Sequence, residues 1–242
     1  MSDFKLIKYC DKKYHPNNCE SIQFGTLDYY RKSDNEFIAD PSEGKGFNYR
    51  FRNENEDIVF SKEEFEWISN GGVRGSGVCI NKGGTLNLNQ NIEVPNCYIF
   101  CCSIMKNPTI EKIETQMKDL GYDSWYEITK PKEFIEEAFK QASSKIKLHL
   151  KRDCQIEWKS IGKEVSYGIK DNIEFSSHID FLDFLLYRKP LVSQINNDIE
   201  FWKNTEFRFT WLFFEKNSIL PVPVEPKPIV FSNKKLKKYF KY

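Results

Sequence analysis

At 242 residues and 28.7 kDa the chain is long enough to bury a full core, and 36 basic against 35 acidic side chains leave a net charge of +1. That balance excludes a global field that gathers nucleic acid, so any such contact must come from a local patch. Seven cysteines without a C-x-x-C pair, with His15, His149 and His178 far from ligand spacing, lack the usual signatures of a zinc site or a disulfide framework.

Twenty Phe, 12 Tyr and 5 Trp supply the burial that scarcer Leu and Val do not. Scattered free thiols fit a reducing cytoplasm. The opening MSDFKLIKYCDKK has no signal-peptide core, and no apolar run approaches the ~20 residues of a membrane span. The expectation is a cytoplasmic protein with no membrane partner.

In chain order, Phe4 to Cys10 predicts a first strand. The stretch FGTLDYYRKSDNEFIADPSEG, Phe24 to Gly44, then organises the rest. It opens as a short apolar strand, turns at Gly25, runs through Tyr29 and Tyr30 into Arg31, and closes on Asp40-Pro41-Ser42-Glu43-Gly44. Phe47 to Arg52 alternates aromatic with polar residues as a half-buried strand does, and Asp57 to Phe60 is a short strand. Ser61 with Glu64 forms a capping-box pattern that starts a short helix. Six glycines between Asn70 and Gly84 frame a strand at Val78–Ile80. Their spacing matches neither a P-loop nor a dinucleotide fingerprint, so they predict a hairpin connection.

Cys97 to Met105 is the most apolar run and has the length of a buried strand. Thr109 to Leu120 predicts an amphipathic helix ended by Gly121. A longer helix is predicted from Pro131 to about Arg152, with Phe134, Ile135, Ala138, Phe139, Ala142, Ile146 and Leu150 as its apolar stripe. Gln155 to Trp158 and Glu164 to Ile169 are predicted as two strands paired with each other, and Ile179 to Tyr187 is an apolar run of open type. In the strand Thr205 to Phe214, Glu206, Arg208 and Thr210 share one face, and Phe207, Phe209 and Trp211 the other. A Pro-rich extended piece follows. The tail, residues 233–242, places Leu236, Tyr239 and Phe240 on one face at helical spacing, leaving its lysines in water. Strands interleaved with few helices, without βαβ alternation, predict a single compact α+β domain over residues 1–242, built on mainly antiparallel sheets with several flanking helices.

Three separated stretches set polar or charged residues in apolar surroundings: Arg31, Asp40, Pro41 and Glu43; Cys101, Cys102 and Ser103; and Trp202, Glu206 and Arg208. In that order they resemble an uncharacterised family of bacterial and phage domains that share a YYR…DPxEG segment, a central strand ending in Cys and Ser, and a late WxxxExR strand. The chain departs from the pattern in placing Cys102 directly before Ser103 and in its compact YRKSDNEF connection. Such domains occur in settings of phage–host conflict, as toxin, defence or anti-defence, and their motif order is distantly similar to ADP-ribosyltransferases. The resemblance implies NAD as cofactor. Glu206, Arg31 and Glu43 would be catalytic, and Tyr30, Asp40, Ser103 and Arg208 would bind NAD. No metal is implied.

The same charges also suit a buried ion-pair network. Two other functions stay open. One is a metal-dependent nuclease, with Asp40, Glu43 and Glu206 around Mg²⁺. The other is a non-enzymatic phage or host binding protein. A nucleic acid or protein acceptor would meet the tail through Lys234, Lys235, Lys237 and Lys238.

Overall fold

The aromatic alternation of residues 206–215 puts that strand where both of its faces can be covered, inside the largest sheet with partners on both edges. The computed structural model describes residues 4–32, 47–52, 57–62, 65, 78–90, 95–148, 155–167, 173–175, 192–193, 206–216 and 221–242. Its first strands are β1 (Phe4–Cys10), β2 (Ser21–Thr26), β3 (Phe47–Arg52), β4 (Ile58–Phe60), β5 (Val78–Ile80), β6 (Thr85–Gln90), β7 (Tyr98–Lys106) and β8 (Ser124–Ile128). After them come β9 (Ile156–Glu164), β10 (Ser166–Tyr167), β11 (Ile173–Phe175), β12 (Val192–Ser193), β13 (Glu206–Glu215), β14 (Pro221–Val222), β15 (Ile229–Ser232) and β16 (Phe240–Lys241). Helices α1 (Leu27–Arg31), α2 (Ile110–Asp119) and α3 (Pro131–Ala142) flank them. The fold is α+β, with mainly antiparallel sheets gathered into one body.

In the main sheet β13 pairs with β9 along one edge and with β7 and then β14 along the other. β7 hands its far edge from β2, at Tyr98 and Ile99, to β1, from Ser103 to Lys106. In the gap, Lys8 Nζ donates to the Cys101 carbonyl at 2.9 Å, so the ladder change leaves no orphan acceptor there. β1 continues to β8 and β16, and β2 to β15. A smaller sheet sets β3 between antiparallel β6 and parallel β11, while β4 pairs with β5 and β10 with β12.

One face of the main sheet carries Phe100, Cys102, Phe209, Trp211 and Phe213, and α3 covers it with Phe134, Ile135, Ala138 and Ala142. Trp211 stacks on Phe24 at 4.3 Å, and Phe139 of α3 stacks on Trp158 at 3.6 Å. The opposite face has two covers. α1 lays Leu27 over Ile99, Leu212 and Phe214, and α2 lays Ile113 over Ile7 and Tyr9. Thr109 caps α2, its hydroxyl accepting from the Lys112 N–H at 3.3 Å, and Gly121 ends it at φ +74°, a left-handed position that suits glycine.

Four expectations need correction. Gly25 is not a turn: it lies inside β2 opposite Ile99, and its missing side chain is what admits the Tyr30 ring. The helix from Pro131 stops at Ala142 rather than near Arg152. A 3-10 turn, Ser143–Lys145, diverts the chain so that Leu148 can bridge to Val224. That backbone bond, and the packing of Ile146 and Leu148 on the core, outweigh local helix propensity. Gln155–Trp158 and Glu164–Ile169 are not partners, because β9 runs unbroken to Glu164 against β13 and Ser166–Tyr167 pairs instead with Val192–Ser193. Finally, the tail is no α-helix. It makes a 3-10 turn, Lys237–Tyr239, and then joins β8 as β16. Most of the predicted helix after Ser61 and the run 179–187 lie outside the described residues.

The tail is nonetheless held by its apolar side, with Leu236, Tyr239 and Phe240 buried. Asn233, also buried, donates to the Cys19 and Ser21 carbonyls at 3.0 and 3.3 Å. Next to it, buried His15 meets the Tyr242 ring at 4.7 Å and accepts the Asn17 N–H on Nδ1 at 3.2 Å.

Two expected outcomes follow from this packing. A Cβ at Gly25 would sit 2.7 Å from the Tyr30 ring. Gly25→Ala should therefore cost about 1–3 kcal/mol in denaturant unfolding, and the penalty should vanish in a Tyr30→Ala background. Burial lowers the His15 pKa from 6.5, an effect only partly opposed by its hydrogen bond to the Trp125 backbone. The unfolded chain then binds the proton more readily, so the stability His15 contributes is complete above pH 6.5 and is lost as pH falls below it. Urea midpoints at pH 7.5 and 5.5 should diverge more in the wild type than in His15→Gln.

Candidate functional site

The β7–β13 ladder builds the candidate site by register. Ser103 lies opposite Glu206 and Cys101 opposite Arg208, all on the face that α1 and α2 leave between them. Thr210 continues the polar stripe, and its buried hydroxyl has no hydrogen-bond partner among the described residues. Such a stripe along an otherwise aromatic strand is what period-two alternation dictates once the other face is committed to the core.

Arg208 is 6% exposed and clasps Glu206 with two hydrogen bonds, Nε to Oε1 at 2.5 Å and Nη2 to Oε2 at 3.3 Å. The Glu206 side chain keeps 21% of its surface open against 8% for that of Arg208, so the carboxylate faces outward and the guanidinium inward. Two further groups close on the pair. Burial pushes the Cys101 thiol well above its usual pKa, and the negative charge of Glu206 and a hydrogen bond to that carboxylate push the same way. Tyr30 is raised too, first by burial, then by Cys101, with which it also hydrogen-bonds. In both, hydrogen bonding favours the protonated partner. Tyr30, Cys101 and Glu206 thus stand close enough to act on one another, and Arg208 is paired with the carboxylate.

This decides what the cluster can do. A nucleophilic cysteine needs a lowered pKa, and Cys101 has the reverse. Burial also raises Cys97, to about 12, and Cys102. The Glu206 carboxylate, by contrast, is held by Arg208 and partly open to solvent.

Of the predicted residues, Tyr30, Ser103, Glu206 and Arg208 thus come together. Arg31 stands elsewhere on the same face. It pairs with Asp28 at 2.9 Å and acts on the thiol of Cys97, which is four residues from Cys101 and so roughly 13 Å along the strand. Asp40 and Glu43 lie outside the described residues.

Sequence inspection missed three supporting groups. Lys8 satisfies the Cys101 carbonyl, Asp28 holds Arg31, and Asn96 accepts the Asp28 N–H at 3.0 Å while donating to the Val224 carbonyl at 3.0 Å. Only Asn96 left a signal, as the amide just before the apolar Cys97 run. Among the described residues no group of His, Cys, Asp and Glu could hold a metal, and no helix is long and apolar enough to cross a membrane. An open depression of about 510 Å³ along α2, lined by Thr109, Glu111, Lys112, Thr115, Gln116 and Asp119, includes none of the predicted site residues.

No family model matches the chain, and neither a curated protein nor a solved structure gives a match.

Thiol chemistry offers a direct check of this electrostatic picture. Cys19, partly exposed, has its pKa lowered by hydrogen bonds to Ser21, and Cys79 is exposed. An alkylating reagent at neutral pH should modify Cys19 and Cys79 first. Cys10, Cys97, Cys101 and Cys102 should react only on unfolding, as peptide mapping would read.

Proposed function

We propose that the protein is an ADP-ribosyltransferase-like enzyme that uses NAD and acts in phage–host conflict. The observation that carries this is the Glu206 carboxylate, partly open, anchored by Arg208 and Cys101, with the Ser103 hydroxyl opposite it in the ladder. Transfer from NAD asks little covalent chemistry of the protein. It asks for a fixed negative charge where positive charge develops on the ribose carbon, and for groups that hold the rest of the molecule still. Glu206 supplies the charge. Its salt bridge to Arg208 orients it without a water shell that would have to reorganise.

NAD bound here would supply a glycosidic C–N bond that breaks with its electron pair leaving on nicotinamide as the acceptor bonds to the same carbon, and Glu206 would take the acceptor's proton. Ser103, opposite Glu206 in the ladder, would orient the ribose, and Tyr30, in the same cluster as Cys101, would form a wall of the site. Arg31, held by Asp28 at the other end of the face, suits a phosphate-binding role better than a catalytic one.

Nicotinamide release from NAD by the purified protein, alone and with cell lysate as acceptor, tests the proposal. Wild type should turn over, and Ser103→Ala should lose roughly tenfold in kcat with unchanged melting, the scale of one lost transition-state hydrogen bond. Glu206→Gln should abolish turnover and also lower stability, because it removes the carboxylate that pairs with the buried Arg208. Glu206→Gln with Arg208→Met should recover that stability and stay inactive. Turnover surviving in Glu206→Gln, or none in wild type with any acceptor, would sink the assignment.

A further inference from the structure

We propose that the loop of residues 11–20 and the C-terminal segment 233–242 form one surface that binds single-stranded nucleic acid. The two lie side by side. Asn233 ties the covering loop down by donating, its backbone N–H to the Glu20 carbonyl at 3.0 Å and its side-chain amide to the Cys19 and Ser21 carbonyls. Lys237 acts electrostatically on Cys19, and Tyr242 packs on His15. Lysines 12, 13, 234, 235, 237 and 238 therefore come from opposite ends of the sequence onto neighbouring backbone, all exposed except the half-buried Lys237.

The acidic groups nearby are largely engaged. Asp11 pairs with Lys13 at 3.7 Å, Glu20 pairs with Lys234 at 3.1 Å, and Asp123 accepts the Lys12 backbone N–H. No carboxylate within salt-bridge distance of Lys235, Lys237 or Lys238 is found among the described residues. These cations sit on fixed backbone, because Leu236, Tyr239 and Phe240 anchor the segment from inside.

That anchoring also selects the partner. Leu236, Tyr239 and Phe240 of the segment are used up in the core, so no apolar cluster of the kind that inserts into a lipid layer is left outside. What stays outside is lysine together with two rings, Tyr14 at 59% and Tyr242 at 49% exposure. Lys13 stands over the Tyr14 ring at 4.9 Å, which joins charge and stacking surface at one place. Lysines that follow a phosphate backbone, beside rings on which unpaired bases stack, form the pattern that holds single strands without reading their sequence. With a net charge of only +1, the attraction is local and does not come from the whole molecule.

The test is fluorescence anisotropy of the full chain with labelled 12-nucleotide oligouridylate and oligothymidylate, and with a duplex of equal length, at 50 and 200 mM salt. No NAD is present, so the outcome is independent of the Glu206 assignment. Single strands should bind more tightly than duplex. If about three phosphates are neutralised, affinity should fall roughly 20-fold across that salt range. Lys234→Gln, Lys235→Gln, Lys237→Gln and Lys238→Gln combined should weaken binding at least about tenfold and flatten the salt dependence. Tyr14→Ala, which leaves every lysine in place, should weaken it at least about fivefold through lost stacking. Melting curves of both variants should match wild type, since the changed side chains lie outside the core. The proposal is overturned by any of three results: no oligonucleotide binding at 50 mM salt, equal affinity in the quadruple variant, or binding to phosphatidylserine vesicles but not to single strands.

Discussion

The antiparallel pairing of β7 with β13 is the constraint on which the rest of this molecule depends. Six cross-strand pairs, from Glu206↔Ser103 to Trp211↔Tyr98, run through the centre of the sheet with both faces covered. A slip of one residue would turn Phe209, Trp211 and Phe213 toward the side now holding Arg208 and Glu206. It would also place a charged pair against α3, where unpaired burial costs several kcal/mol. The register is therefore enforced by the aromatic core on one face and by the Arg208–Glu206 pair on the other. Both penalties act in the same direction.

From that ladder the covering elements follow. A helix as short as α1 does not persist on its own in water. Here the Thr26 hydroxyl caps it by accepting the Tyr29 N–H at 3.1 Å, Asn96 ties its first turn to Val224, and Gly25 leaves space for the Tyr30 ring. Tyr30 is thereby packed into the cluster that holds Cys101, and its closeness to the Glu206 site is a consequence of where a glycine stands in the neighbouring strand. Packing and chemistry meet at that one ring. A polar stripe of this kind would be inert if fully enclosed, and it would be weak if fully solvated, where water screens each interaction. Glu206 sits between those limits, with its guanidinium partner sealed and its own oxygens partly open.

The two chain ends repeat the same division of labour. β16 extends the sheet through β8, so the last residues belong to the core's frame, and Asn233 and His15 bind the returning segment to the N-terminal loop. The apolar half of the segment faces inward and its lysines outward. Such an arrangement holds charge at fixed positions on the surface, which a frayed terminus does not do.

Much of this was legible in the residues alone. Period-two alternation is a local property, so the strands at Phe4–Cys10, Tyr98–Lys106 and Glu206–Glu215, and the two faces of the last one, could be read directly. Caps and terminators are local as well, which is why Thr109 and Gly121 bound α2 as expected. Alternation put Glu206 and Arg208 on one face, but only the β7–β13 register set Ser103 opposite Glu206; Arg31 stands apart with Asp28, and Asp40 and Glu43 lie outside the described residues. What only the tertiary structure decided is everything that depends on a distant partner. Leu148 left its helical pattern for a bridge to Val224, β9 ran straight through because β13 offered it a full ladder, and the tail's helical spacing yielded to a place beside β8. Lys8 joined the site for the same reason, since no local pattern marks a lysine that must answer a carbonyl 93 residues away. Local sequence sets which face of an element is apolar. Which other element covers that face is settled by the free energy of the whole assembled core.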